Sequence, residues 1–170
     1  MGGQTHGALF LESSAPVSGG SIMNYRLCTK DDIPMMCRMR KQQLMREGVD
    51  TRIDLDADMH RFFTDKMADG SLVEWFLEEN GAVIATAGIL FLELPPSYNN
   101  PTGIRGYITN MYTAPEYRRQ GIATSMLSRL MDEAKARSVN RICLRASDQG
   151  RPVYEKFGFK GSEKWMELDL

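Results

Sequence analysis

Apolar and polar residues alternate along the chain with spacings that predict both helices and strands. Two helices are predicted in the N-terminal half. The first is capped by Asp31 or Asp32, has Pro34 in its first turn and ends at Gly48. The second begins near Asp54 and ends at Gly70. Their apolar stripes consist of Ile33, Met36, Cys37 and Leu44 in the first helix and Leu55, Met59, Phe62, Phe63 and Met67 in the second.

Strands are predicted wherever apolar residues form short continuous or alternating runs. These runs cover residues 25–28, 71–77, 82–94, 105–113 and 141–146, with the last strands from residue 159 onward and over residues 164–170. The Asn80-Gly81 pair predicts a tight hairpin, because both residue types tolerate a positive φ. Residues 95–103 consist mainly of turn formers and predict a loop.

Two more helices are predicted in the C-terminal half. One begins near Gly121 and carries an apolar face of Ile122, Met126, Leu127, Leu130, Met131 and Ala134. A short one begins near Asp148 and Pro152 and ends at Gly158. Strands that alternate with helices, together with an antiparallel hairpin, predict an α/β fold (an α+β mixed sheet) covered by helices.

Composition narrows the function classes. At 170 residues, with 42% hydrophobic and 25% charged residues, the chain is expected to be a single globular domain. Its net charge of −1 gives no overall attraction to nucleic acid or to an anionic membrane. Three scattered cysteines indicate reduced thiols and a cytoplasmic location, and with two histidines they predict no metal site. No apolar run approaches a membrane span.

The first 22 residues differ in composition from the rest of the chain. They are rich in glycine and serine, Glu12 is their only charged residue, and they lack the basic and apolar regions of a signal peptide. We therefore expect residues 1–22 to be a leader or a flexible extension, and residues 23–170 to form one domain.

A short glycine-bearing segment, Arg118-Arg119-Gln120-Gly121, joins a predicted strand to a predicted helix. The first N–H groups of a helix have no intrahelical partner, and the helix dipole adds partial positive charge there. A phosphate or pyrophosphate would be bound well at such a place. Many helices begin after a glycine without binding a ligand, so local chemistry alone leaves both interpretations open.

A longer pattern around this segment resembles the acetyl-CoA signature of the GNAT superfamily of N-acetyltransferases, Gln/Arg-x-x-Gly-x-Gly/Ala. Arg118, Gly121 and Ala123 occupy its fixed positions, after a strand and a proline turn. A second family element, Tyr154-Glu155-Lys156-Phe157-Gly158-Phe159, follows at a family-like separation. The resemblance spans about residues 23–170.

The resemblance implies a mostly antiparallel, twisted sheet of about six to seven strands, flanked by about four helices. The strands at 105–113 and 141–146 would splay apart to admit the pantetheine arm of acetyl-CoA, the expected cosubstrate. By the same resemblance, the cofactor-binding residues are Met111, Tyr112, Thr113, Arg118, Arg119, Gln120, Gly121, Ile122, Ala123, Thr124 and Asp148. The first three would bind pantetheine through their backbone, and residues 119–124 would bind the pyrophosphate. Arg118 would fix the motif, and Asp148 stands where relatives often have an asparagine.

The resemblance also implies a catalytic role for Tyr154, as the proton donor to the departing thiolate. The alternative is a structural tyrosine packed with Phe157 and Phe159. Some peptide-acetylating relatives carry a glutamate on the second splayed strand, but Cys143 occupies the nearest position here. Glu93 could serve as a base through water or could be an ordinary exposed carboxylate. No general base is assigned.

The expected function is therefore transfer of an acetyl group from acetyl-CoA to a primary amine by direct attack in a ternary complex. One alternative is a non-catalytic acyl-CoA-binding sensor or interaction module, and a weaker one is a nucleotide-binding regulator. The loop at 95–103 and the first two helices lie where the family builds its variable acceptor pocket. The acceptor is left open, and a homodimer is compatible with the family.

Overall fold

The computed structural model describes residues 22–162 and 166–168. In chain order the elements are β1 (Met23–Leu27), α1 (Ile33–Arg46), α2 (Asp56–Ala68), β2 (Leu72–Glu79), β3 (Ala82–Glu93), β4 (Ile104–Thr113), α3 (Ile122–Ala136), β5 (Ile142–Leu144) and α4 (Arg151–Phe157). Two 3₁₀ turns, Lys30–Asp32 and Pro115–Tyr117, precede α1 and α3. Within the described ranges, no helix is both long and apolar enough to cross a membrane.

The strands form one mixed sheet in the order β1-β2-β3-β4-β5. The pairings from β1 to β4 are antiparallel, and β4 pairs with β5 in parallel. The predicted mixed α/β fold is confirmed. The expected six to seven strands are not matched, because the described residues form five.

The difference lies at the C-terminal end of the chain. Gly158 ends α4 with a φ of 114°, and the next N–H, that of Phe159, donates to the Tyr154 carbonyl at 2.9 Å. Phe159 thus belongs to the helix cap rather than to a strand. Residues 159–162 and 166–168 carry no strand, whereas residues 163–165 and 169–170 of the predicted last strand lie outside the described residues. Residues 1–21 of the expected leader also lie outside them.

The hairpin between β2 and β3 forms at the predicted place. Asn80 and Gly81 have φ angles of 49° and 82°, which are the positive values that a two-residue turn between twisted strands requires. The two-residue alternation of β2 then gives the sheet two apolar faces. Val73, Trp75 and Leu77 point to α3, whereas Leu72 and Phe76 point to α1 and α2.

The predicted cap of α1 uses different contacts from those expected. Asp32 makes no side-chain hydrogen bond to the first turn of α1. Its carboxylate instead accepts from the Thr29 N–H at 2.7 Å and pairs with Arg26 at 2.8 Å. Arg26 also pairs with Glu78 at 2.7 Å, so this cluster fastens the start of α1 to β1 and β2. The hydrogen bond from Arg26 lowers the pKa of Asp32 to about 2.

A β-bulge interrupts the pairing of β3 with β4. The register shifts between Thr86 and Gly88, which leaves Asn110 and Met111 of β4 together opposite Ala87 of β3. Asn110 has a φ of 53°, the left-handed region that asparagine tolerates better than most residues. The bulge turns the Asn110 side chain toward the α1–α2 face of the sheet, where it meets Glu74.

Glu74 of β2 is a buried carboxylate, with only 1% of its surface exposed. Thr86 Oγ1 donates to Glu74 Oε1 at 2.7 Å, and Asn110 Nδ2 donates to Glu74 Oε2 at 2.7 Å. A Cβ at Gly88 would lie 3.1 Å from Oε2, so the glycine makes room for the carboxylate. Burial raises the pKa of Glu74 to about 7, opposed by both hydrogen bonds and by the charge of Arg40.

We expect the Glu74 carboxyl group to make the protein less stable as the pH rises from about 4.5 to about 7. In that window the folded state binds the Glu74 proton more tightly than the unfolded state does, so the stability present at low pH is lost. The E74Q variant lacks this dependence. Urea unfolding at pH 5 and pH 8 should show the stability of the wild type falling relative to E74Q by up to about 3 kcal/mol.

Glu93→Gln on β3 is the control, because Glu93 is exposed. Its stability should follow the wild type at both pH values. If the wild type and E74Q give parallel pH profiles, Glu74 does not titrate in this window.

Candidate active site

The N-terminus of α3 has the geometry of an anion site. Gly121 is its N-cap residue with a φ of 79°, and no side chain caps this end of the helix. Arg119 also has a left-handed φ, of 62°. A Cβ built on Gly121 would find nothing within 4 Å, so the space beside the first turn is open. The N–H groups of residues 122–124 therefore face open space in which they would stabilise a negatively charged group.

The predicted residues around this turn divide by exposure. Arg119, Gln120, Gly121 and Thr124 are exposed, Ala123 is half-buried, and the Ile122 side chain is buried in the core. Ile122 can thus contribute only its backbone. Gln120 Nε2 donates to the Glu116 carbonyl at 3.3 Å, within the preceding 3₁₀ turn.

Arg118 holds this turn against the end of β4. Its Nε donates to the Thr113 carbonyl at 3.0 Å. Tyr117 adds a second tie, because its hydroxyl donates to the Glu79 carboxylate at the end of β2. Arg118 therefore ties the loop to β4, and its role in the cofactor-binding motif stays a prediction.

The edge of β4 is open beside this turn. Parallel pairing joins only residues 106–108 of β4 to Ile142–Leu144 of β5, so residues 109–113 have no partner in β5. Gly106 lies in the part of β4 that pairs with β5. A Cβ there would lie 2.7 Å from Ile89 Cδ1 and 2.8 Å from Ile142 Cδ1, so the two isoleucine side chains pack directly over this residue. The bulge at Asn110 begins the open part.

Met111, Tyr112 and Thr113 lie in the open part of β4. Met111 packs against the α3 side of the sheet, and Tyr112, 8% exposed, packs against α1 and α2. The side chains of Met111 and Tyr112 therefore pack on opposite faces of the sheet. A ligand beside the open strand could reach its backbone.

Tyr154 of α4 is half-buried with an available proton. Its ring packs edge-to-face on Phe159 with centroids 5.9 Å apart, and a Cβ at Gly150 would come within 3.1 Å of the ring. Burial raises its pKa to about 12, with further contributions from Glu47 and Tyr107. The phenol consequently stays protonated at neutral pH. The packing on Phe159 is the contact that the structural alternative expects, and the role as proton donor stays a prediction.

Chain topology brings these parts to one end of the sheet. Because β4 and β5 are parallel, the turns that follow them lie at the same edge. The first turn leads into α3, and the second contains Asp148 and leads into α4 with Tyr154. The charge of Glu47, at the C-terminal end of α1, adds to the raised pKa of Tyr154. Helix α1 also packs against β4, so it borders this end of the sheet.

Several residues of this region were not identified from the sequence. Glu47 and Tyr107 give no local signal, because both fit ordinary positions at a helix end and in a strand. Glu74 and Asn110 do give one, since each is a polar residue inside an apolar strand run. Polar residues in such runs are informative, because a buried polar group requires a partner.

The short helix α4 begins later than expected. Asp148 lies in an exposed turn, and α4 starts at Arg151 with Gly150 as its N-cap. Ser147 Oγ, rather than Asp148, accepts the Gly150 N–H at 3.2 Å. Cys143 donates to the Gly106 carbonyl at 3.7 Å, and burial raises the pKa of its thiol, which disfavours a nucleophilic role.

The acidic residues near the start of α2 are engaged locally. Asp56 pairs with Lys41, and Asp58 pairs with Arg61 at 2.6 Å. Asp54 accepts the Asp56 N–H at 3.0 Å. Each of these three carboxylates therefore has a partner within α1, α2 or the turn before α2. In residues 22–162 and 166–168, no three His, Cys, Asp or Glu residues group in a way that could hold a metal ion.

Comparison with known proteins identifies the same segment of the chain. The profile of the acetyltransferase (GNAT) family matches residues 38–159. A crystal structure of a predicted acetyltransferase with acetyl-CoA from Clostridium acetobutylicum is 51% identical, with a TM-score of 0.86 and coverage of 87% of this chain and 96% of that chain. A GCN5-related N-acetyltransferase from Ralstonia eutropha JMP134 is 29% identical, with a TM-score of 0.79 and coverage of 86% and 98%.

A curated relative matches over a shorter stretch. Glucosamine 6-phosphate N-acetyltransferase of Trypanosoma brucei brucei is 25% identical over 93 residues, which is 55% of this chain. The match spans 61% of the length of that relative. The profile match covers well over half of the chain and includes the α3 turn, the open strand pair and Tyr154, so this protein belongs to the acetyltransferase (GNAT) family.

Proposed function

We propose that the protein is an N-acetyltransferase that moves an acetyl group from acetyl-CoA to a primary amine by direct attack in a ternary complex. The observation that carries the proposal is the uncapped N-terminus of α3 beside the unpaired half of β4. One site can therefore offer N–H donors to a diphosphate and an open strand to an amide-bearing chain.

The residues present fit acetyl-CoA. The N–H groups of residues 122–124, with the charge of Arg119 beside them, would hold the pyrophosphate. The backbone of residues 111–113 would pair with the pantetheine arm, as an added strand pairs with a sheet edge. The Clostridium acetobutylicum relative, 51% identical, was crystallised with acetyl-CoA, which supports this assignment. Asp148, exposed in the turn that follows β5, would border the cosubstrate.

The chemistry requires a neutral amine. Its nitrogen forms a bond to the thioester carbonyl carbon, the carbon–sulfur bond breaks, and the amine proton passes to solvent. Tyr154 would donate a proton to the departing thiolate, since its pKa of about 12 keeps it protonated. Deprotonating a lysine-like amine at pH 7 costs roughly 4–5 kcal/mol, against about 1 kcal/mol for an α-amine.

Gly121→Ala is expected to weaken acetyl-CoA binding by about tenfold, because it perturbs the turn that presents the α3 N–H groups. Isothermal titration calorimetry measures this directly. Gly70→Ala is a matched control, because Gly70 has a similar φ of 73° and also has nothing within 4 Å of a built Cβ. Both variants should lose a similar stability of about 1 kcal/mol. Equal dissociation constants for all three proteins would contradict the assigned site.

Tyr154→Phe is expected to lower kcat by about 10²-fold, since it removes the proton donor but keeps the ring. The dissociation constant for acetyl-CoA should stay near the wild-type value. Tyr25→Phe provides the control, because Tyr25 is another half-buried tyrosine of the same core cluster, stacked on Arg129. Stopped-flow or steady-state detection of free thiol measures the rates. An unchanged kcat in Tyr154→Phe would remove this residue from the mechanism.

An amine panel tests the activity itself. We expect free thiol to be released from acetyl-CoA with at least one of an amino sugar phosphate, a polyamine, an aminoglycoside, an amino acid or an N-terminal peptide. The curated relative at 25% identity is the reason to include the amino sugar phosphate. Tight binding of acetyl-CoA without turnover across the panel would instead support a non-catalytic acyl-CoA-binding module.

A further inference from the structure

Glu74 is an ionisable group that the proposed chemistry does not use. It lies on β2, two strands away from β4, and is 1% exposed. An ionisable side chain is costly to bury, and an apolar residue of similar volume would cost less. The surrounding structure accommodates it specifically, since Gly88 leaves room for its Oε2.

Hydrogen bonds connect the Glu74 carboxylate to β3 and to the bulge of β4. Oε1 accepts from Thr86 on β3, and Oε2 accepts from Asn110 at 2.7 Å. Asn110 is 2% exposed and has a φ of 53°, so its amide is buried and its backbone is in a conformation that most residues avoid. A backbone in this region persists only when its surroundings hold it there.

The bulge sets the course of the strand that follows. Asn110 immediately precedes Met111, Tyr112 and Thr113, and pairing with β5 ends at residue 108. The unpaired backbone therefore runs from its last contact with β5 directly through the bulge. Any change in the conformation of Asn110 would reorient the groups that a ligand in the opening meets.

We propose that Glu74 is a positioning residue for the binding of acetyl-CoA. The carboxylate of Glu74 holds the Asn110 amide and thereby fixes the bulge that orients the open end of β4. Glu74 touches neither substrate and acts through Asn110. The inference rests on the proposed function, because it assigns the role of a residue behind that binding site. A purely structural Glu74 would affect stability without changing the affinity of the folded protein.

Four variants of the full chain separate the two roles. Glu74→Met removes the acceptor and keeps the volume, whereas Glu74→Gln keeps an oxygen that can accept from Asn110. Asn110→Gly removes the amide but allows the positive φ. Thr86→Val is the matched control, because it removes the other hydrogen bond to Glu74 and leaves the Asn110 contact in place.

Calorimetric titration with acetyl-CoA, well below each melting temperature, should give a dissociation constant about tenfold higher for Glu74→Met and for Asn110→Gly. Glu74→Gln and Thr86→Val should stay near the wild-type value. Wild-type affinity in Glu74→Met, or equal losses in Glu74→Met and either Thr86→Val or Glu74→Gln, would overturn the proposal. If Glu74→Met does not fold, the dissociation constants of Asn110→Gly and Thr86→Val decide. A loss of affinity in Asn110→Gly alone supports the proposal, and equal affinities overturn it.

Hydrogen exchange of the free protein gives a readout that does not depend on the cosubstrate. Glu74→Met should accelerate exchange of the backbone amides of residues 110–113, and Thr86→Val should not. Equal exchange in these two variants would overturn the role of Glu74 even if acetyl-CoA binds. A wild type that does not bind acetyl-CoA would instead refute the proposed function, and the exchange comparison would still decide whether Glu74 orders the bulge.

Discussion

Parallel pairing between β4 and β5 stops after residue 108, and the position of the whole candidate site follows from that limit. If the ladder continued to Thr113, the backbone of residues 109–113 would be satisfied by β5, as buried main-chain groups normally are. The opening instead leaves this edge of β4 without a strand partner between the turns into α3 and α4. The turn into α3 follows β4, and the turn into α4, which carries Tyr154, follows β5 at the same edge of the sheet. Geometry of this kind requires few specialised side chains, because the backbone supplies most of the donors.

The two faces of the sheet contribute differently to this arrangement. On the α3 side the core is almost entirely apolar, and Met126, Leu127 and Leu130 each have 1% or less of their surface exposed. On the α1–α2 side, the Glu74–Thr86–Asn110 network is embedded among apolar residues. Buried polar networks can select one conformation at a cost in stability. The apolar face thus contributes stability, whereas the polar network on the other face contributes a defined strand geometry.

Periodicity predicted most elements because their signals are local. The apolar face of α3, the Asn80-Gly81 hairpin and the glycine at the head of α3 each depend on residues close in sequence. The bulge could not be predicted, because its position depends on contacts between Asn110 and a residue 36 positions away. The end of β5 was missed for a similar reason. Residues 141–146 were expected to form one strand, but only Ile142–Leu144 pair with β4. Tyr154 came from family resemblance, whereas its neighbours Glu47 and Tyr107 needed the folded chain.

Gly106 restricts how this opening can be altered. The Cδ1 atoms of Ile89 and Ile142 lie within 2.8 Å of where a Cβ at position 106 would stand, so a larger residue there would require both isoleucine side chains to shift. A substitution at position 106 would therefore disturb the side-chain packing that joins β4 to β5, whereas a substitution beside the bulge would leave that packing in place.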